Sequence, residues 1–337
     1  MDLEFIKLYE QLNSLNEDTN YARRGDVGII IDDNILLDVG MDVTDLVIPN
    51  GVTEIAASAL EDHEKLKTVI IPNSVTVIGR LAFKGCTSLT SVNIPSSVIS
   101  IEYAAFFGCS TLNTVIINNG VSSIGSQAFV FCTDLVSIII PDSVTNIGDG
   151  AFSGCKRLTS VTIGNGVTSI EDNMFNSCTS LTSITIPNNV TSIGDSAFAY
   201  CSGLTKIDFP NNIRKIGKAA FQFCTGLTSI VLPDSAKRIG KAAFYGCHSL
   251  ASITLPKGIT AIKEYLLAEC PALKSIRLPA TVKNIEVWAF ANCTNLTSII
   301  FAGTMSQWKA IKKLDDMWNS RMPKSCIISC KDGQFYI

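Results

Sequence analysis

Histidine is almost missing. His63 and His248 are the only two in 337 residues, which leaves little for imidazole acid–base catalysis or metal ligation. Charge is sparse too: Asp, Glu, Lys and Arg make up 17% of the chain and sum to a formal net charge of -3. That balance argues against sequence-blind nucleic-acid binding by the chain as a whole. Although 47% of the residues are hydrophobic, no run approaches the ~18 apolar residues of a membrane span. No glycine-rich phosphate loop and no metal-spaced His/Asp cluster is present. The opening stretch MDLEFIKLYEQL has neither a basic start nor a continuous apolar core, so it does not read as a secretory signal. Either the protein stays inside the cell or a leader has been removed from it.

What the chain does contain is a repeat. With Pro49 as position zero, steps of 23 reach Pro72, Pro95, Asn118, Pro141, Gly164, Pro187, Pro210, Pro233, Pro256 and Pro279, with Ala302 after the last copy, and no insertion breaks the register. Every copy carries isoleucine at +6 (Ile55, Ile78 and on to Ile285) and leucine at +17 (Leu66 to Leu296). Position +11 is Phe except at Leu60 and Leu267, and +20 and +22 are aliphatic or Phe. The fragment L-x-x-I-x-I ends in period-two alternation, so it reads as a short strand with one face buried. V-T-S-I at +3 to +6 reads as a second short extended piece. Between them, the apolar residues at +10, +11 and +14 suit about one helical turn. Eight apolar positions per copy are too few to offset the ordering of 23 residues, so copies must share a continuous core by stacking. Parallel strands ~4.8 Å apart make eleven coils about 50 Å long.

The ends need caps, because a bare terminal coil exposes its core and a strand edge. Upstream, Val43, Leu46 and Ile48 supply one further strand, and VGIIIDDNILLDV (27–39) reads as a hairpin turning at Asp32, Asp33 and Asn34. Leu3, Ile6, Leu8, Leu12 and Leu15 give a preceding helix its apolar stripe. Downstream, GTMSQWKAIKKLDDMW places Trp308, Ile311 and Leu314 on one helical face as a lid. The expected organisation is an N-terminal cap over 1–48, eleven repeats over 49–301 and a C-terminal cap over 302–337.

The phrase IPxxVTxIGxxAFxxCxxLTSI resembles the BspA-type leucine-rich repeat of bacterial and protozoan surface proteins, over about 49–301. GTMSQWKAI, the later Trp318 and CKDG (330–333) also look like the end segment of bacterial members. The resemblance implies a mainly β, right-handed, curved leucine-rich-repeat solenoid with 23-residue repeats, a parallel sheet on its concave face, and short strands and helical turns elsewhere. It further implies roles in adhesion and protein binding, and it brings no catalytic residue and no cofactor.

Ten cysteines, Cys86 to Cys293, stand at +14, with His63 holding that place in the first copy. Stacked in register, the thiols lie ~4.8 Å apart with parallel Cβ vectors, whereas a disulfide wants Cβ atoms ~3.5–4.5 Å apart and turned toward each other. Tetrahedral zinc needs ligands converging from several directions. Packing remains: a small apolar side chain whose weak S–H donates to a turn carbonyl. Cys326 and Cys330 fall outside the register; a disulfide in an exported protein is one reading, but four residues of strand would hold them too far apart to bond each other, which favours isolated structural thiols. His63 and His248, eight coils and one position apart, cannot share a site, so the chain reads as a non-enzyme.

Three surfaces are candidates for a partner. On the main strand, +17, +20 and +22 point inward, so +18, +19 and +21 face solvent. The +21 column includes Ile70, Asn93, Ile116, Ile139, Thr162, Thr185, Asp208 and Arg277, and Ile116 and Ile139 with Val136 form its most apolar stretch; β-propensity on an exposed strand is the alternative reading. The second surface is a ridge at +12 and +13, where Phe107, Phe131, Tyr200, Phe223 and Tyr245 replace small or polar residues, either for an interface or to pack over the next coil's turn. The third is basic: Arg214, Lys215 and Lys218 in one coil beside Lys237, Arg238 and Lys241 in the next, an anion-binding patch or a solvated face. The sequence thus predicts a protein-interaction module of adhesin type on the strand face. An intracellular scaffold or inhibitor, and a glycan-binding surface protein, are the alternatives.

Overall fold

Each 23-residue copy closes one coil, and the hydrogen bonds show why its length never varies. The Thr76 amide donates to the Thr53 carbonyl at 2.8 Å, Thr145 to Ser122 at 3.0 Å and Arg214 to Thr191 at 2.8 Å. An inserted residue anywhere would break such bonds to the coils on both sides. The computed structural model describes residues 28–313 and 316–337; the helix expected over Leu3 to Leu15, and the place of Leu314, lie outside the described residues. Stacked coils give a mainly β solenoid of parallel strands.

The L-x-x-I-x-I fragments form the main sheet, in register: Ile138 beside Val161, Ile184 beside Ile207, Ile230 beside Ile253 and Ile276 beside Ile299. The V-T-S-I pieces form a side sheet of two-residue strands, with Ile124 between Ile101 and Ile147 and Ile216 between Ile193 and Ile239. Neither ladder is continuous. The main sheet is interrupted after the strands Thr68–Ile70, Ser160–Ile163 and Lys206–Asp208, and the side sheet after Asn146–Ile147 and Arg238–Ile239. The eight apolar columns meet inside as one core running from Leu36 to Ile328. Phenylalanine stacks on phenylalanine from Phe83 to Phe244, with ring centroids 4.9 to 5.7 Å apart.

The segment from +7 to +14 takes a more specific form than one helical turn. In all eleven coils the residues at +9 and +13 are left-handed: Leu81 at φ 60 and Gly85 at φ 72, Ser196 at φ 54 and Tyr200 at φ 62 are two pairs. This alternation turns successive amides in opposite directions. The amides at +9, +11 and +13 donate to the next coil, as Leu81 to Tyr103, Phe83 to Ala105 and Gly85 to Phe107. Those at +10, +12 and +14 close turns within their own coil, as Ala82 to Gly79 and Cys86 to Phe83. A helix would turn every amide inward along the segment; the alternation makes the turn side of the rod a hydrogen-bonded ladder as well.

At the N-terminal end, Ile30–Asp32 and Ile35–Asp38 pair antiparallel around Asp33 (φ 46) and Asn34 (φ 62), the two positive φ values of a tight hairpin turn. Asp45–Val47 adds a strand beside Thr68–Ile70. At the other end the helix Met305–Lys309 is only five residues long, closed at its start by a reciprocal capping box between Thr304 and Gln307. Trp308 is buried against Phe301 and Trp318. The helical face expected to include Ile311 therefore stops early: Ile311 is buried beyond the helix, and Lys312–Lys313 becomes a further strand of the side sheet beside Asn284–Ile285. Ile327–Cys330 extends the main sheet, and Gly333–Tyr336 folds back on it antiparallel.

Candidate functional site

The cysteine row is buried throughout and unpaired. Each Sγ lies 3.0 to 3.3 Å from the carbonyl oxygen 26 residues earlier: Cys109 to Phe83, Cys178 to Phe152, Cys201 to Phe175 and Cys293 to Leu267. The acceptor is the +11 residue of the preceding coil, so each S–H ties the phenylalanine column to the coil above it. Burial pushes the thiols of Cys155, Cys201, Cys247 and Cys293 up to about 12. His63 completes the row, 2% exposed, with Nε2 2.7 Å from the Val39 carbonyl and Nδ1 3.2 Å from that of Glu61. His248 is exposed, edge-on to Phe223 at 6.4 Å. Cys326 is buried and Cys330 partly so, and both are unpaired. A thiol reagent such as a disulfide chromophore should modify the native protein rapidly at Cys330 at most, and all twelve cysteines once it is denatured. Rapid stoichiometric modification of Cys178 or Cys201 in the folded protein, read by mass spectrometry, would overturn the packing role. Among the described residues no group of His, Cys, Asp and Glu is arranged to hold a metal ion.

On the main sheet the +21 column lies on one face: Asn93 beside Ile116, Ile139 beside Thr162, Thr185 beside Asp208 and Arg277 beside Ile300. The pairing of Ser137 with Thr114 sets Ile139 next to Ile116. Ile70, Asn93 and Ile116 are half-buried, while Thr162, Thr185, Asp208 and Arg277 are exposed. Two members have partners of their own: Asn93 accepts from the Asn118 amide at 2.8 Å, and Asp208 pairs with Lys206 at 2.9 Å. Apolar side chains stand out on this face at two places: Ile139, 64% exposed, with Val136 at 41%, and further along the same column Val231 at 67%.

Beside that step lies a groove the column reading missed. The main sheet parts between Ser160–Ile163 and Ser183–Thr185, and an open cleft of about 410 Å³ runs there between Val161, Thr162 and Ile163 on one side and Thr185, Ile186 and Pro187 on the other. A signal was in the sequence: Gly164 stands where most copies have proline. A Cβ at Gly164 would fall 2.5 Å from the Pro141 carbonyl carbon, so two coils approach too closely there for a side chain.

The aromatic ridge is real but longer than its column. Phe107 meets Phe131 edge-on at 5.6 Å, and three coils on a second run of rings begins, Tyr200 to Phe223 and Phe223 to Tyr245 at 5.2 Å each, then Tyr265 at 5.9 Å and Trp288 at 5.0 Å. It drifts from +13 through +12 to +9, which a search along one column does not find. Phe131 lies over Gly154 and Phe223 over Gly246, where a Cβ would meet the ring at 2.5 Å. These rings pack across the next coil's turn, yet Phe131 and Tyr200 remain 50% and 47% exposed.

The basic patch divides. Lys218 lies 3.9 Å from Asp195, and Lys241 pairs with Glu264, so neither offers an uncompensated charge. Arg214, Lys215, Lys237 and Arg238 are exposed on the side sheet.

The comparisons agree with this geometry. A family model described as BspA type leucine-rich repeat region (6 copies) matches residues 31–156, 123–228 and 214–312. A leucine-rich cell surface protein from Faecalibacterium prausnitzii A2-165 is 29% identical over 88% of this chain and 98% of its own, with a TM-score of 0.59. A leucine-rich repeat protein from Bacteroides ovatus is 25% identical over 90% of this chain and 99% of its own, with a TM-score of 0.65. The leucine-rich repeat protein of T. pallidum is 30% identical over 56% of this chain and 91% of its own, with a TM-score of 0.50. No curated protein matches. Among the described residues no helix is long and apolar enough to cross a membrane.

Proposed function

The chain belongs to the BspA-type leucine-rich repeat family, and from that premise we propose that it is a non-enzymatic, adhesin-like module that grips a partner protein with the main-strand face. One observation carries this reading: an exposed apolar step, Val136 and Ile139, on the main-strand face beside an open groove lined by two adjacent coils. Apolar side chains beside a concavity are what a partner's anchor residue needs, because burial there is complete and the flanking threonines supply a polar rim. The strand that carries the step is held in register on both sides, by Thr114 and by Ser160–Ile163, so little ordering is lost there on binding. The neighbour described as a cell surface protein supports a place outside the cell.

A second reading, a scaffold or inhibitor inside the cell using the same face, is favoured by the unpaired thiols, since free cysteines persist in reducing compartments. Cell fractionation of the native producer separates the two. The binding face is tested by capturing partners on the immobilised rod and comparing it with the Val136→Lys/Ile139→Lys variant. The side chains are exposed, so the variant should melt within a few degrees of the parent and lose the captured partner at least ~100-fold, the effect of desolvating two central anchors. Unchanged capture by a folded variant rules out this face.

A further inference from the structure

Lys215 and Arg238 stand directly abreast on neighbouring parallel strands of the side sheet. Arg214 and Lys237 precede them in the chain, and the Arg238 amide donates to the Arg214 carbonyl at 3.3 Å. Like charges directly opposite are unfavourable on a sheet. Several cations elsewhere on the rod have an acid one coil away: Lys65 with Asp42 at 2.5 Å, Lys84 with Glu61 at 2.6 Å, Lys257 with Asp234 at 3.1 Å and Lys263 with Glu286 at 2.7 Å. Arg214, Lys215, Lys237 and Arg238 have no acidic partner among the described residues. Their neighbours along the rod are Thr191 and Ser192 on one side and Thr260 and Ala261 on the other, so no acid flanks them at the same positions.

The stripe continues past the repeats. Lys283 is exposed two coils further on, and the strand Lys312–Lys313 sets exposed Lys312 abreast of the next residue, Asn284, with the Lys312 amide donating to the Lys283 carbonyl at 2.9 Å. Lys313 turns away to lie 5.2 Å from the Trp308 ring. From Arg214 to Lys312 the stripe crosses four coil steps, about 19 Å along the rod.

We propose that this stripe binds an extended sulfated polysaccharide lying along the rod axis. Charge complementarity calls for a polyanion, and geometry selects its kind. Cations on adjacent coils lie ~4.8 Å apart, close to the advance of one sugar ring in an extended polysaccharide, and the one uncharged coil at Thr260 and Ala261 leaves a gap of a single such step. An extended acidic peptide presents same-face carboxylates every ~6.6 Å and falls out of step. Nucleic acid binds single strands through aromatic platforms, and these side-sheet positions carry no aromatic residue from Thr191 to Asn284. Arginine's planar fork suits a sulfate's oxygens, and Thr191 at one end with the intervening Thr260 and Asn284 supply hydrogen-bonding groups for sugar hydroxyls. This surface is separate from the main-strand face, so either assignment stands if the other fails.

The test uses the full chain and a fluorescent heparin fragment, with uncharged dextran, polyglutamate and a single-stranded oligonucleotide as competitors. The parent protein binds heparin with an affinity that falls steeply and log-linearly with salt, and none of the three competitors displaces it at equal chain length. Arg214→Gln/Lys215→Gln/Lys237→Gln/Arg238→Gln removes the like-charge contacts, so it folds at least as well as the parent and binds heparin at least 100-fold more weakly. Lys283→Gln/Lys312→Gln binds 3- to 10-fold more weakly with a shallower salt slope. Heparin binding unaffected by the fourfold change, salt-independent binding by the parent protein, or stronger binding of polyglutamate or the oligonucleotide each overturns the proposal. Because the salt slope and the competition are read on the parent protein, poor folding of a variant leaves the proposal testable.

Discussion

Taken above about pH 9, the rod is expected to unfold cooperatively, driven by its own buried thiols. Burial holds nine of the ten ladder cysteines above their ordinary value, with Cys155, Cys201, Cys247 and Cys293 at about 12. In the unfolded chain the same groups titrate near ~8.5. The folded value is the higher one, so the contribution to stability is complete below about pH 8.5 and is lost as the pH rises from there toward about 12. Each thiol then removes about 1.4 kcal/mol per pH unit, and nine together up to about 13 kcal/mol per unit. A domain's whole stability is about 5–15 kcal/mol, so the midpoint falls within roughly one or two units of the unfolded thiol value and well before the folded thiols ionise. Paired lysines such as Lys65 and Lys84 are also held above their ordinary value, but they are solvent-exposed and their share is small. The measurement is circular dichroism and tryptophan fluorescence against pH, at several urea concentrations. Replacing Cys155, Cys178 and Cys201 by Ala should cut the alkaline slope by about a third, three thiols of nine. A native spectrum persisting at about pH 11, or a slope indifferent to the three substitutions, would show that the thiols are not sealed in the core.

The columns behind that prediction were legible in the sequence because stacking makes position i the neighbour of i+23. Cysteine, phenylalanine and isoleucine each form a line in space for the same reason that each recurs in the phrase. The hairpin around Asp33 and Asn34 was legible from local turn chemistry. What escaped depends on backbone conformation or on contacts that cross columns. The left-handed residues at +9 and +13 left only a partial trace, glycine at Gly85, Gly108, Gly150, Gly154 and Gly246, because serine, leucine and even phenylalanine fill the same places once the inter-coil ladder holds them. The pairing of Lys241 with Glu264 runs toward the following coil and that of Lys218 with Asp195 toward the preceding one, so charge identity at one position does not reveal whether a cation is free. Lys312 joins the side sheet only because the helix before it ends at Lys309, a boundary the apolar spacing of Trp308, Ile311 and Leu314 had placed later. For the candidate site, the solvent-facing column was readable from strand alternation, whereas the groove came from an interruption of the ladder whose local trace was one glycine, Gly164, in place of the usual proline.

Replacing Phe198 by Ala should lower the unfolding free energy by about 3–5 kcal/mol. The ring is fully buried and sits between Phe175 at 5.6 Å and Phe221 at 5.3 Å, nearly parallel to both, so its removal opens a cavity with a ring on either side. The surrounding backbone is fixed by ladders to the coils above and below, which limits collapse into the space. The more discriminating result comes from pairs. Phe175→Ala with Phe198→Ala removes one shared ring contact only once, so the double variant should lose about 0.5–1.5 kcal/mol less than the two single losses together. Phe106→Ala with Phe221→Ala acts five coils apart, about 24 Å, and should add to within about 0.3–0.5 kcal/mol. Urea titrations with an unchanged m-value supply the free energies. Coupling as strong between the distant pair as between the adjacent one is incompatible with a rod in which each coil leans only on its neighbours. Coupling confined to adjacent coils means that a change made on one stretch of surface, the Ile139 step or the Arg214 stripe, leaves the other stretches undisturbed.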